Sequence, residues 1–203
     1  MPQVTPFRSI RPIPELADRI AALPYDVYNR REALDETLRE PLSFLKIDRA
    51  ETQFPEDVDT YDPKVYEKAK ELLNSMLQDG SFIMEDAPCY YIYELTMDGR
   101  SQTGIVACSS IDDYQNEIIK KHEKTREDKE LDRIRHVDIT DTHTGPIFLV
   151  YRSVSVINQI VEDAKQEAPL YDFVSSDGIR HRVFRISDQD AIQKLEKAFA
   201  EIP

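Results

Sequence analysis

Basic side chains crowd the stretch from Lys120 to Arg135, which reads KKHEKTREDKELDRIR. Lys120, Lys121, Arg126, Lys129, Arg133 and Arg135 are of the types that hold phosphate and carboxylate groups, arginine as a planar fork and lysine as a point charge. Among them stand His122 and Glu123, of the types that move protons near neutral pH. No apolar residue interrupts Lys120 to Glu130. The stripe at i, i+3 and i+4 that docks a helix on a core is therefore missing. Ile118 and Ile119 before it, and Leu131, Ile134 and Val137 after it, are expected to pin its two ends. Two readings stay open. The charges face water, paired as Glu123 with Arg126 and Glu130 with Arg133. Or Glu123, Lys129 and Arg133 converge on a pocket for an anion, where fixed charges are what recognition needs.

Other constellations carry weaker signals. His122, His136 and His143 with Asp138 and Asp141 include a metal-ligand chemistry, but no HxH or HxxxH spacing is present. Scattered surface histidines and no metal site are the expectation. Tyr25-Asp26 after Pro24 reads as a turn or helix cap, or as a group that orients a ligand. Ser43, Arg49 and Glu51 lack the G-x-S-x-G context of a serine nucleophile. The chain has 5 glycines, and neither a Walker pattern nor GxGxxG occurs, so a glycine-rich phosphate loop is excluded.

The chain has 203 residues and a net charge of -13. That balance argues against a general nucleic-acid or anionic-membrane surface, because phosphate contacts need Lys and Arg. No apolar run approaches a membrane span, and MPQVTPFRSI has no signal core. Cys89 and Cys108 read as reduced core residues of a cytoplasmic protein.

The elements that must position these groups are mostly legible. Short helices are expected at 15–22 and 31–39, and a strand over SFLKI at 43–47. Asp62-Pro63 opens a clear helix with an N-cap acid and Pro at its first position. It carries Val65, Ala69, Leu72, Leu73 and Met76, and Gly80 ends it. That apolar face is expected to cover a hairpin of 89–97 and 102–109 turning at Asp98-Gly99. PIFLVY at 146–151 reads as a buried strand and 154–164 as a helix. A second hairpin surrounds Asp177-Gly178. A capping box of Ser187 with Asp190 is expected before a last helix that buries Ile192, Leu195, Ala198 and Phe199. Antiparallel hairpins interleaved with helices make the class α+β. The division is placed between an N-terminal α+β region, 1–112, and a region 113–203.

PYDVY at 24–28, PLSFLKIDRAE at 41–51, QTGIVACSSIDDY at 102–114, KKHEKTREDKELDR at 120–133 and TGPIFLVY at 144–151 occur in this order. Together they resemble the bacterial and archaeal family called domain of unknown function 1015. HE-x-T-x-x-x-KE-x-DR is the most specific part. Family members are about twice this long and carry an Asp-Gly-His-His-Arg motif, which is absent here. Asp177-Gly178-Ile179-Arg180-His181 does not replace it. The resemblance thus implies the N-terminal half of a longer chain. The absent motif also marks the ParB/sulfiredoxin-like fold of free-serine kinases, so 113–203 would be the start of such a region. His122-Glu123 is similar to the His-Glu pair of those kinases. By that resemblance Glu123 would be a base beside His122, and Lys121, Arg126, Lys129 and Arg133 would bind substrate or phosphate. ATP or ADP with Mg²⁺ would be the cofactor. The expectation is a soluble phosphate-handling enzyme, in its specific form a nucleotide-dependent small-molecule kinase, the fragment itself being inactive. The alternative is a non-catalytic domain that binds an anionic metabolite. In either case the partner is a small phosphate or nucleotide ligand, not nucleic acid or membrane.

Overall fold

The computed structural model describes residues 2–121 and 126–202. In chain order its elements begin with β1 (Val4–Thr5), β2 (Ile10–Pro12), α1 (Ala17–Ile20), α2 (Arg30–Arg39), α3 (Leu45–Asp48), α4 (Pro63–Gln78), β3 (Phe82–Met84), β4 (Tyr90–Met97) and β5 (Arg100–Val106). There follow β6 (Cys108–Ser109), α5 (Ile111–Gln115), α6 (Glu127–Thr140), α7 (Ser155–Ala164), β7 (Tyr171–Val174), β8 (Arg180–Ile186) and α8 (Gln189–Ala200). The class is α+β, as the interleaved patterns require. The chain forms two compact units, each from separated stretches. One holds the described residues of Met1–Pro14, Met84–Lys124 and Ile147–Pro203; the other holds those of Glu15–Ile83 and Thr125–Pro146. A single boundary at 112/113 does not describe this division. Among the described residues no helix is long and apolar enough to cross a membrane.

The first unit is built on an antiparallel sheet in the order β5-β4-β8-β7. Its first hairpin turns at Asp98 (φ 51°) and Gly99 (φ 77°), so that Met97 faces Arg100. Left-handed backbone at both central residues is what a two-residue hairpin needs, and Asp-Gly supplies it at least strain. One sheet face presents Tyr90, Ile92, Phe184 and Ile186 to α7 (Ile157, Val161) and α8 (Ile192, Leu195, Ala198, Phe199). This is an apolar core read directly from strand alternation and helical spacing. One charge lies in β4: Glu94, 2 % exposed, which takes bonds from Arg182 and Lys165. These cations hold its carboxyl below the usual range although burial pushes the other way.

The second unit is helical. Asp62 caps α4 by accepting from the Lys64 amide at 3.0 Å, with Pro63 at the first position. Val65, Tyr66, Ala69 and Leu73 are its buried residues, and it packs on α3 and α6. The expected cover for the first hairpin is thus corrected: α7 and α8 fill that role, and α4 packs within its own unit. The expected strand at 43–47 is helix α3 instead. The Ser43 hydroxyl accepts from the Leu45 amide at 3.3 Å, and Phe44 is already right-handed. A short apolar run suits either state, and tertiary burial decides. At 146–151 no strand forms, and Ile147, Phe148 and Val150 are exposed. Asp188 rather than Ser187 caps α8, accepting from the Ala191 amide at 2.9 Å. Both cysteines are free, Cys89 buried but Cys108 exposed.

Candidate functional site

Helix α6 docks through polar residues. Its sequence EDKELDRIRHVDIT places Lys129, Asp132, Arg133, His136 and Thr140 at i, i+3, i+4, i+7 and i+11, one face of a helix. Asp132, His136 and Thr140 are its buried residues. Leu131 and Ile134, expected to anchor the segment, are 45 % and 56 % exposed. The docking surface is hydrogen-bonded. The Tyr66 hydroxyl on α4 donates to Asp132 Oδ1 at 2.8 Å. Arg133 Nη2 donates to Asp132 Oδ2 at 2.9 Å. Thr140 Oγ1 donates to the His136 carbonyl at 2.7 Å, which ties the hydroxyl back to its own helix.

A cleft of about 350 Å³ opens along this face. Its walls come from α6, from α4, from the α3 segment around Asp48 to Glu51, and from the turn at Tyr25-Asp26. Arg133 is held firmly: its guanidinium lies 4.4 Å from the Tyr25 ring centroid, and Nη1 lies 3.8 Å from Asp48 Oδ1. Lys129 also lines the cleft and has no ion-pair partner among the described residues. Arg49 braces the floor. Its Nε donates to Glu51 Oε1 at 2.6 Å, and its Nη1 donates to the carbonyls of Tyr25 and Tyr28 at 3.0 and 2.7 Å. Arg49 and Glu51 thus form a brace between the α3 segment and the Tyr25 turn, and Ser43 is engaged in starting α3.

Titration behaviour is displaced at three groups here. Burial raises the Asp48 carboxyl, against the Thr144 hydroxyl that donates to Oδ1 at 2.9 Å and the nearby Arg133. Burial lowers His136, with Arg133 adding to the effect and the Ile47 carbonyl, Asp48 and Asp132 opposing it. Burial, then the bond to Asp132, pushes Tyr66 up to about 12. His136 Nε2 lies 3.1 Å from the Ile47 carbonyl oxygen. A carbonyl only accepts, so Nε2 carries the proton and Nδ1 is a lone pair in the neutral ring. An acid raised by burial beside a neutral imidazole and a fixed arginine is an arrangement suited to proton transfer on a bound anion.

The predicted site residues are distributed unequally. Lys129 and Arg133 stand on the cleft wall. Arg126 pairs with Asp128 at 2.8 Å at the exposed start of α6. Lys121 belongs to the other unit, where Nζ lies 4.4 Å from the Tyr114 ring centroid. His122 and Glu123 lie outside the described residues. The expected pair of Glu130 with Arg133 is replaced by Asp132 with Arg133. His136, expected on the surface, is 3 % exposed. Asp48, Tyr66, Asp132 and His136 were missed as site residues. The signal that could have found them is the polar helical periodicity of 129, 132, 133, 136 and 140, read in the same way as an apolar stripe. Among the described residues no group of His, Cys, Asp or Glu is arranged to hold a metal ion.

Residues 4–203 match the family described as protein of unknown function, DUF1015. The chain belongs to that family. No curated protein and no solved structure matches it.

Proposed function

We propose that this member of the DUF1015 family is a phosphate-handling protein and that the α6 cleft receives the small anionic ligand. One observation carries the reading. Lys129, without an ion-pair partner among the described residues, stands one helical turn from Arg133, whose guanidinium is fixed by Asp132 and the Tyr25 ring. A mobile point charge beside a preorganised fork suits a phosphate group. Asp48 and His136, which also line the cleft, supply groups able to take up or release a proton as the ligand reacts, which favours an enzyme over a passive binding domain.

The specific form of this reading is a nucleotide-dependent kinase acting on a serine-like alcohol. In that form region 113–203 is ParB/sulfiredoxin-like and part of a longer protein, and Glu123 takes the hydroxyl proton with His122 beside it. It rests on the similarity of His122-Glu123 to the His-Glu pair of free-serine kinases. On the α6 side of the cleft no open carboxylate among the described residues offers itself to the Mg²⁺ of ATP or ADP. Both oxygens of Asp132 already accept, from Tyr66 and Arg133, and Asp48 Oδ1 accepts from Thr144. Mg²⁺ demands open, ionised carboxylate oxygens. The acceptor's anionic group is what Lys129 and Arg133 suit.

Titration calorimetry with propyl phosphate tests the reading. Binding is expected, weakened by added salt and weakened about tenfold or more in Lys129→Ala, since a hydrogen bond to a charged group is lost. Equal affinity in Lys129→Ala and the unaltered protein would remove the cleft from consideration.

A further inference from the structure

His136 is almost wholly buried and forms part of the cleft wall. One ring nitrogen is committed: Nε2 donates to the Ile47 carbonyl. The other, Nδ1, is a buried atom with no hydrogen-bond partner among the described residues. Buried polar atoms without partners are rare in folded proteins, and each calls for a reason. Here Nδ1 accepts only, so its missing partner is a donor. Asp132 cannot serve, because a carboxylate that accepts from Tyr66 and Arg133 has no proton to give. A cationic donor is disfavoured beside the Arg133 guanidinium, which already repels positive charge on the ring. A neutral hydroxyl meets neither objection. It carries one proton to give, and its oxygen keeps lone pairs for another group.

We propose that the ligand of this cleft carries a hydroxyl beside its anionic group, and that the hydroxyl donates to His136 Nδ1. The anion sits at Lys129 and Arg133, and His136 follows Arg133 on the same face of α6. The ligand class is thus a small hydroxylated phosphate or carboxylate rather than a simple anion. The arrangement selects as well as binds. An analogue without the hydroxyl leaves Nδ1 unsatisfied in the closed site, and such deficits are what discriminate strongly between otherwise similar ligands. His136 acts here as a recognition residue. This inference rests on the α6 cleft being the ligand site.

The test compares glycerol 3-phosphate with propyl phosphate, which share the phosphate and the three-carbon chain and differ in their hydroxyls. Calorimetry on the unaltered protein is expected to show glycerol 3-phosphate binding about tenfold or more tightly, the scale of one buried hydrogen bond. His136→Leu removes Nδ1 without supplying another acceptor, whereas a glutamine would present its Oε1 instead. The leucine variant is expected to erase the preference. A readout without mutation is the ¹⁵N resonance of His136 Nδ1. It should move on adding glycerol 3-phosphate and stay fixed with propyl phosphate. Equal affinities in the unaltered protein, a preference that survives in His136→Leu, or an Nδ1 resonance unmoved by glycerol 3-phosphate would overturn the assignment. Each of those outcomes still leaves phosphate bound. Failure of both phosphates to bind would instead overturn the cleft as a phosphate site, and this inference with it.

Discussion

Helices α8 and α6 dock by opposite chemistry. Helix α8 buries Ile192, Leu195, Ala198 and Phe199 against its sheet. Helix α6 buries Asp132, His136 and Thr140 and leaves Leu131 and Ile134 in water. Apolar docking is non-directional and tolerates small shifts of its partners. Polar docking is directional: Tyr66 must meet Asp132 Oδ1, and His136 must meet the Ile47 carbonyl. Each such bond adds little net stability, about 0.5–1.5 kcal/mol, but is expensive to leave unmade. A helix held this way is placed accurately rather than tightly. That is the requirement for a wall that carries reactive side chains, and it separates the part of the molecule that secures the fold from the part that faces the cleft.

The comparison can be broken or sharpened by mutation. The largest effect is expected at Leu195, which is fully buried. Leu195→Ala should destabilise by about 2–5 kcal/mol in urea denaturation, the cost of a lost side chain and the cavity behind it. Asp132→Ala should cost less, about 1–3 kcal/mol, by stranding the Tyr66 hydroxyl and releasing Arg133. Combining it with Tyr66→Phe should add less than the sum, because the two changes remove one bond. Strict additivity in that cycle would show that the α4–α6 bond contributes nothing.

Acid should reveal His136. Its proton affinity is lower in the fold than in the unfolded chain. The stability it confers is therefore full above the unfolded imidazole value of about 6.5. It is lost as pH falls from there toward the lower folded value. Thermal melts of His136→Gln should fall less steeply than those of the unaltered protein between about pH 7 and 5. His181 is also lowered by burial, and Asp48 slopes the opposite way because its folded pKa is raised. His181 is common to the two proteins and cancels in the difference; Asp48 interacts with His136, so the melts are compared in an Asp48→Asn background, where it is absent from both. The smallest effect on stability is expected at Lys129. Lys129→Ala should stay within about 0.5 kcal/mol of the unaltered protein, so that any loss of phosphate binding reports on the cleft and not on the fold. A large fall in the denaturation midpoint would turn Lys129 into a structural residue.

Local signals were legible in the sequence and long-range ones were not. Asp62-Pro63, Asp98-Gly99 and the spacing of Ile192 to Phe199 each declare an element within a few residues, and those elements stand where expected. SFLKI and PIFLVY misled because short apolar runs do not distinguish helix, strand and exposed coil. The partner of α4 is not legible because adjacency in sequence does not ensure adjacency in space. The site was half legible. Lys129 and Arg133 announced themselves by charge. Asp132 and His136 did not, since their partners, Tyr66 and Ile47, are 66 and 89 residues away. Polar residues in a charged run read as solvated until those partners are seen.

The exposed run at 147–151 has a consequence for the behaviour of concentrated solutions. Phe148 is 76 % exposed, and Ile147, Leu149, Val150 and Tyr151 are exposed with it. Short β-prone segments of this kind are adhesive between molecules. The net charge of -13 opposes them by mutual repulsion. Colloidal stability is then a balance between one sticky strip and a long-range charge. Salt shifts that balance, because the screening length falls from about 10 Å at 0.1 M to about 3 Å at 1 M. The protein should therefore be most dispersed in dilute buffer, and added salt should draw copies together through this strip.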